Sequence, residues 1–321
     1  MPRLLQHADG QATPMSVPPS GEQIELVHGS QRAVAVEVGG GLRTYDVDGV
    51  AVLDGYDEHE MVTAARGQPL VPWPNRLHGG RYTWDGTEHE VPLDEPDKGN
   101  ALPGLTRFRA WRPVERSAEA VTLTLRLHPS PPYPFCLDLT ARYALTDDGL
   151  VVEHTATNVG ADAAPYALGT HPYVSVGGPV DDALLTVPAD RWLPTDEDQI
   201  PTGTEPVAGT AYDFRAARRI GPLQVDHAFT DLHRDGDGRT RLRLEGLQQR
   251  VEVWADEGFG WLEVFTGDSV PQPQRRRRGL GVEPMTAPPN AFVTGEGLLR
   301  LAPGDTATHR WGVRLLASGA R

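Results

Sequence analysis

One cysteine in 321 residues, Cys136, leaves no partner for an internal disulfide and excludes a zinc cluster built from several thiolates. Such a chain suits a reducing compartment. Lysine is as scarce: Lys98 stands alone, and arginine supplies the rest of the basic residues, a bias we read as genome composition. Nowhere do about 18 apolar residues run together, so no transmembrane helix is expected. Met1 to Gly21 lack the basic start and apolar run of a secretory signal. Positive charge is in deficit, 30 Lys and Arg against 44 Asp and Glu, and the formal charge of −14 repels nucleic acid phosphates and anionic membrane surfaces. The expected protein is soluble and cytoplasmic, with a small neutral molecule as partner, no nucleic acid and no membrane. Its oligomeric state, monomer or weak dimer, is left open.

What the chain has in quantity is turn formers. The 35 glycines and 29 prolines are spread over its whole length and cut it into short segments, with no helical periodicity between them. Residues 1–20 are polar and rich in Pro and Ser, and read as a disordered leader in which Met15 is a second candidate start. Strands are expected at Ile24 to His28, Arg32 to Val38 and Leu42 to Val47. Asp48-Gly49 and Asp85-Gly86 each lie between β-prone residues and read as hairpin turns. Gly39-Gly40-Gly41 precedes a strand rather than a helix, so it lacks the helix N-terminus that would hold a phosphate.

The centre is clearest. Ala120 to His128, Phe135 to Leu145 and Leu150 to Asn158 alternate apolar with polar residues, and Asp147-Asp148-Gly149 closes the second turn, which predicts three adjacent antiparallel strands. Phe108 to Val114, Arg239 to Leu244, Arg250 to Ala255, Trp261 to Thr266 and Ala307 to Ala317 read as further strands. No composition break divides them. The fold class expected is all-β, one large antiparallel β-sandwich over residues 21–321 with few, short helices.

Five stretches hold polar residues on rigid backbone. In Pro72-Trp73-Pro74-Asn75-Arg76-Leu77 the prolines fix a turn that carries a guanidinium, a fork suited to oxygen-rich ligands. Gly169-Thr170-His171-Pro172-Tyr173 sets a histidine, the side chain best placed to exchange protons near neutral pH, between a glycine and a proline. Val225-Asp226-His227-Ala228-Phe229 opens an apolar segment with a carboxylate. Asn100-Ala101-Leu102-Pro103-Gly104-Leu105 is a turn. Gly281-Val282-Glu283-Pro284-Met285-Thr286-Ala287-Pro288-Pro289-Asn290-Ala291-Phe292 sets a carboxylate among apolar residues just ahead of several prolines, as a tuned base requires. Taken alone, each also fits an ordinary loop.

Metal candidates are poor. His59 and His89 each lie between two glutamates, but alternate residues of a strand face opposite ways and no His-Glu-x-x-His spacing occurs. No metal and no cofactor are expected. Arg275 to Arg278 reads as a solvated loop leading into the Glu283 segment rather than a nucleic acid patch.

In order and spacing these motifs make the chain, from about Ile24 to its end, resemble the aldose 1-epimerase (mutarotase) family. Pro-Asn-Arg, Gly-Thr-His-Pro-Tyr, Val-Asp-His-Ala-Phe, Tyr133-Pro134-Phe135 and above all Val-Glu-Pro-Met-Thr-Ala-Pro-Pro-Asn-Ala-Phe carry the resemblance. It implies a galactose-mutarotase-like supersandwich whose concave face binds a free aldohexose. By the same resemblance Glu283 is the base and His171 the acid, in a working form with Glu283 ionised and His171 protonated, while Arg76 and Asp226 contact the sugar beside Asn75 and Tyr173. The chain departs from the family at Pro103, where a second imidazole that would donate a hydrogen bond to the sugar is usual; His78, nearby, does not match that position. Reduced activity is one consequence. A sugar-binding protein without efficient catalysis and an epimerase of sugar phosphates, read by Arg276 to Arg278, are the alternatives.

Overall fold

The computed structural model describes residues 17–316. Residues 1–16 of the expected leader, Met15 included, and Ala317 of the last expected strand lie outside them. Ser20 is already buried, and its carbonyl accepts a hydrogen bond from the Val38 backbone at 2.9 Å.

Alternation of apolar and polar residues becomes two large antiparallel sheets. One has nine strands, ordered Arg112–Arg116, Ala120–Leu127, Leu137–Thr146, Gly149–Asn158, Thr306–Leu316, Arg250–Ala255, Thr240–Glu245, Leu184–Thr186 and Arg218–Arg219. Its centre contains the three adjacent strands expected from the sequence. In Gly149–Asn158 the burial alternates nearly residue by residue, so Val152, His154 and Ala156 face inward. The other large sheet runs Glu205–Pro206, Ala189–Trp192, Asp226–Leu232, Trp261–Phe265, Leu280–Met285, Gly169–Thr170 and Pro69–Leu70, with Tyr173–Val174 also paired to Leu280–Met285. A four-stranded sheet begins with Gln23–His28 and ends with Val50–Ala51. Its last hairpin has the left-handed Asp48-Gly49 pair that a two-residue turn demands.

Both large sheets feed one core: Leu123, Leu139, Val152 and Val253 from the first, Phe229, Leu262, Val264 and Val282 from the second. Each such side chain contributes about 1.5–3 kcal/mol by leaving water. Helices among the described residues are single 3-10 turns and the four-residue Ala291–Thr294. None is long and apolar enough to cross a membrane.

One expectation shifts. Phe108 is exposed and precedes the strand, which starts at Arg112. Trp261 to Thr266, which follows Arg250–Ala255 in the chain, crosses to the other large sheet. That crossing places the site.

Candidate active site

The strand Leu280–Met285 pairs residue for residue with Trp261–Phe265, Glu283 opposite Glu263 and Val282 opposite Val264. Because side chains alternate, the valines enter the core while both glutamates emerge on the other face. Asp226 pairs with Phe265, two residues from Glu263, and so joins the same face. Three carboxylates thus stand on neighbouring strands.

On its other side Leu280–Met285 meets the His171 segment. Gly169 pairs with Met285 and Tyr173 with Gly281, and between these two pairings His171 and Pro172 sit level with Glu283. The Pro172 carbonyl accepts a hydrogen bond from Val282 N at 3.0 Å, and the His171 carbonyl one from Gly67 N at 2.8 Å. The imidazole is thereby aimed along the strand, and its Nε2 lies 3.1 Å from Glu283 Oε1. Tyr173 stacks on His171 at 5.0 Å between ring centroids, with the Arg66 guanidinium 3.9 Å from the Tyr173 ring centroid. The Tyr173 hydroxyl donates to the Ala64 carbonyl at 3.4 Å, so Tyr173 holds the imidazole as well as lining the cleft.

Arg76 comes from the loop after Pro69–Leu70. Gly169 lets that loop approach: a Cβ there would stand 2.7 Å from Pro74 Cβ. Asn75 takes a left-handed conformation, and its Oδ1 accepts from Arg76 N at 2.8 Å. Asn290, at the end of the Glu283 motif, donates its backbone N–H to the Arg76 carbonyl at 2.8 Å and accepts from His78 N at 3.0 Å. The guanidinium donates through Nε and Nη2 to Glu95, at 2.8 and 3.1 Å. His78 is exposed and does not line the cleft.

These groups line a cleft that opens to solvent and sets charged and polar side chains among apolar ones, as small-molecule sites do. Arg76, Asn75, His171, Tyr173, Asp226 and Glu283, all anticipated from the sequence, border it together. Four further residues were not anticipated. Glu263 lies 3% exposed beneath Asp226, with Oε2 unpartnered. Gln199 donates to Asp226 and accepts from Lys98, the single lysine, so a loop remote in sequence reaches the site. Glu95 anchors Arg76. Arg107 borders the cleft beside Pro103, its Nε donating to the Pro103 carbonyl at 2.7 Å and its Nη2 to Asp94 at 2.8 Å.

Burial dominates the electrostatics. It pushes the Glu283 carboxyl well above the ordinary range; the charge of Asp226 adds to this and Arg76 opposes it. Burial raises Glu263 in the same way, reinforced by Asp226 and Glu283. The His171 imidazole is driven down to about 3, first by burial and then by the positive charges of Arg66 and Arg107. Both shifts favour a proton on the Glu283 carboxyl over one on the His171 imidazole, opposite to the expected working form. Asp226 acts on the two glutamates rather than on His171.

Arg275 and Arg277 are not a solvated run. Arg275 pairs with Glu60 and Arg277 with Asp181 and Asp268, in each case at 2.7–3.0 Å. Arg276 donates to the Val270 carbonyl at 3.0 Å, and none of Arg275 to Arg278 lines the cleft.

Residues 22–314 match the family model described as aldose 1-epimerase. The chain is 35% identical over 287 residues to the uncharacterized protein YihR of Escherichia coli (strain K12), covering 89% of this chain and 90% of that one. It is 30% identical over 221 residues to the aldose 1-epimerase of the same organism, 62% of this chain and 60% of the relative. Among solved structures, the GalM/aldose epimerase homologue from C. elegans superposes with a TM-score of 0.81 at 19% identity, over 92% of this chain and 98% of that one. With a family match across nearly its whole length and a galactose-mutarotase-like fold, the chain belongs to the aldose 1-epimerase family.

Proposed function

We propose that the protein interconverts the α and β anomers of a free aldohexose of the glucose or galactose type. The observation that carries this is the 3.1 Å approach of His171 Nε2 to Glu283 Oε1 on the floor of an open cleft. A general acid and a general base must reach one small ring at once, and each contributes about 10²- to 10⁴-fold.

Glu283 takes the proton of the anomeric hydroxyl, the C1–O5 bond breaks, and O5 takes a proton from His171. The C1 aldehyde turns about C1–C2, O5 attacks its other face, and both protons return. Nothing is consumed. The pair carries one proton between its two members, and the ring-opening step uses the arrangement with that proton on His171. Arg76, Asn75 and Asp226 hold the hydroxyls, and Tyr173 keeps the imidazole stacked. Asp226 must release Gln199 or share it with the sugar.

Arg275 to Arg278 lie outside the cleft, so they are not the residues that would read a sugar phosphate there. Optical rotation of freshly dissolved α-D-glucose and α-D-galactose, with the buffer rate subtracted, tests the proposal. Faster relaxation with protein supports it; saturable sugar binding without faster relaxation favours a sugar-binding protein.

A further inference from the structure

At Pro103 the chain gives up the second imidazole usual in its family, yet that side of the cleft is not without a donor. Pro103 and Arg107 border the cleft together. The Arg107 side chain is 14% exposed and held at two points, Nε on the Pro103 carbonyl and Nη2 on Asp94. A guanidinium has five N–H donors. Nη1 takes no protein partner among the described residues and remains for a ligand.

The turn is built to keep this arrangement. Gly104 is left-handed, and a Cβ there would meet the Val71 carbonyl at 2.5 Å. Leu105 N donates to that same carbonyl at 2.7 Å, while Leu102 N donates to Asp94. Asp94 thus ties the two ends of the Leu102-to-Arg107 turn and fixes the guanidinium plane. The charge of Arg107 is felt at His171 across the cleft.

We propose that Arg107 is the sugar-hydroxyl donor on this side of the cleft, taking over the role of the imidazole that Pro103 displaces. The proposal rests on the reading of the cleft as an aldose site. An arginine in place of an imidazole gives a donor that does not titrate below pH 12. It cannot lend or accept a proton in the reaction, so the acid–base chemistry stays with His171 and Glu283 alone.

The test compares wild type, Arg107→Ala, Arg107→Gln and Asp94→Asn, each checked for an unchanged melting temperature. Two readouts are taken on D-glucose and D-galactose: kcat/KM for anomer interconversion, and sugar affinity by ligand-observed NMR titration. Losing one charge-assisted hydrogen bond should lower kcat/KM roughly 10- to 100-fold in both Arg107 variants. Asp94→Asn keeps the guanidinium and an acceptor for Leu102 but loses the Nη2 anchor, so it should fall between wild type and the two Arg107 variants. Equal losses in Arg107→Gln and Asp94→Asn would overturn the proposal and make Arg107 a prop of the turn, as would Arg107 variants that match wild type. If wild type binds sugar without turnover, the epimerase reading fails separately, and weakened binding in the Arg107 variants still supports the donor role. If wild type neither binds nor turns over either sugar, both readings fall.

Discussion

Glu263 and Glu283 are direct cross-strand partners on the cleft face, both about 3% exposed, with Asp226 beside them. These two buried carboxylates and the half-buried Asp226 share essentially one guanidinium, Arg76, already bound to Glu95. Two therefore hold protons far above the usual range.

Glu263→Gln should stabilise the protein. A carboxyl whose folded pKa is raised above its unfolded value costs nothing below the unfolded pKa, and an increasing amount as pH rises from there towards the folded pKa. The amide removes that cost. The melting temperature of the variant should match wild type near pH 4 and exceed it increasingly towards pH 8. A constant difference at every pH would contradict the protonated state assigned to Glu263.

His154 and His309 are cross-strand partners inside the core. Burial, and then His309, force His154 down to about 3; burial also lowers His309, against a pull from Asp256. For a histidine lowered in the folded state, stability is full above the unfolded pKa near 6.5 and is lost as pH falls towards the folded value. Urea unfolding should lose up to about 1.4 kcal/mol per pH unit through His154 as pH falls from about 6.5 to 4, and His309 adds to the loss in the same direction. His154→Gln should flatten the slope, and an unchanged slope would remove His154 as its source.

Rate against pH should be bell-shaped but wide. The singly protonated His171–Glu283 pair persists from near pH 3, where His171 gains a second proton, up to the raised pKa of Glu283, where the pair loses its last. The alkaline limb of kcat/KM should therefore lie well above the usual carboxylate range. A limb near pH 4 to 5 would mean that Glu283 is not buried in the free enzyme.

How far the sequence could be read depended on range. Alternation in Leu137–Thr146 and Gly149–Asn158 is local, and those strands lie where it put them. Glu263 was visible as a carboxylate inside the apolar run Trp261-Leu262-Glu263-Val264-Phe265, yet its meaning depends on register with Glu283, a non-local fact. Gly169–Thr170 and Pro69–Leu70 are two-residue strands, too short to show a period. Gln199 reaches Asp226, and Arg107 the cleft, from loops with no motif of their own.

Pro103→His should raise kcat/KM, because Gly104 rather than Pro103 fixes the turn. With Arg107 already in place, one added neutral hydrogen bond is worth only about 3- to 10-fold. Pro103→Ala is the control, and His and Ala variants of equal activity would show that the lost imidazole does not limit the enzyme.

The central claim is that His171 and Glu283 perform acid–base ring opening, and Glu283→Gln tests it most directly, since the amide keeps the shape and cannot take the proton. Polarimetry on fresh α-D-galactose and α-D-glucose should show wild type accelerating relaxation above the buffer rate, and the variant, with its melting temperature preserved, losing about 10²-fold or more in kcat. A Glu283→Gln protein that turns over sugar as fast as wild type would contradict the account.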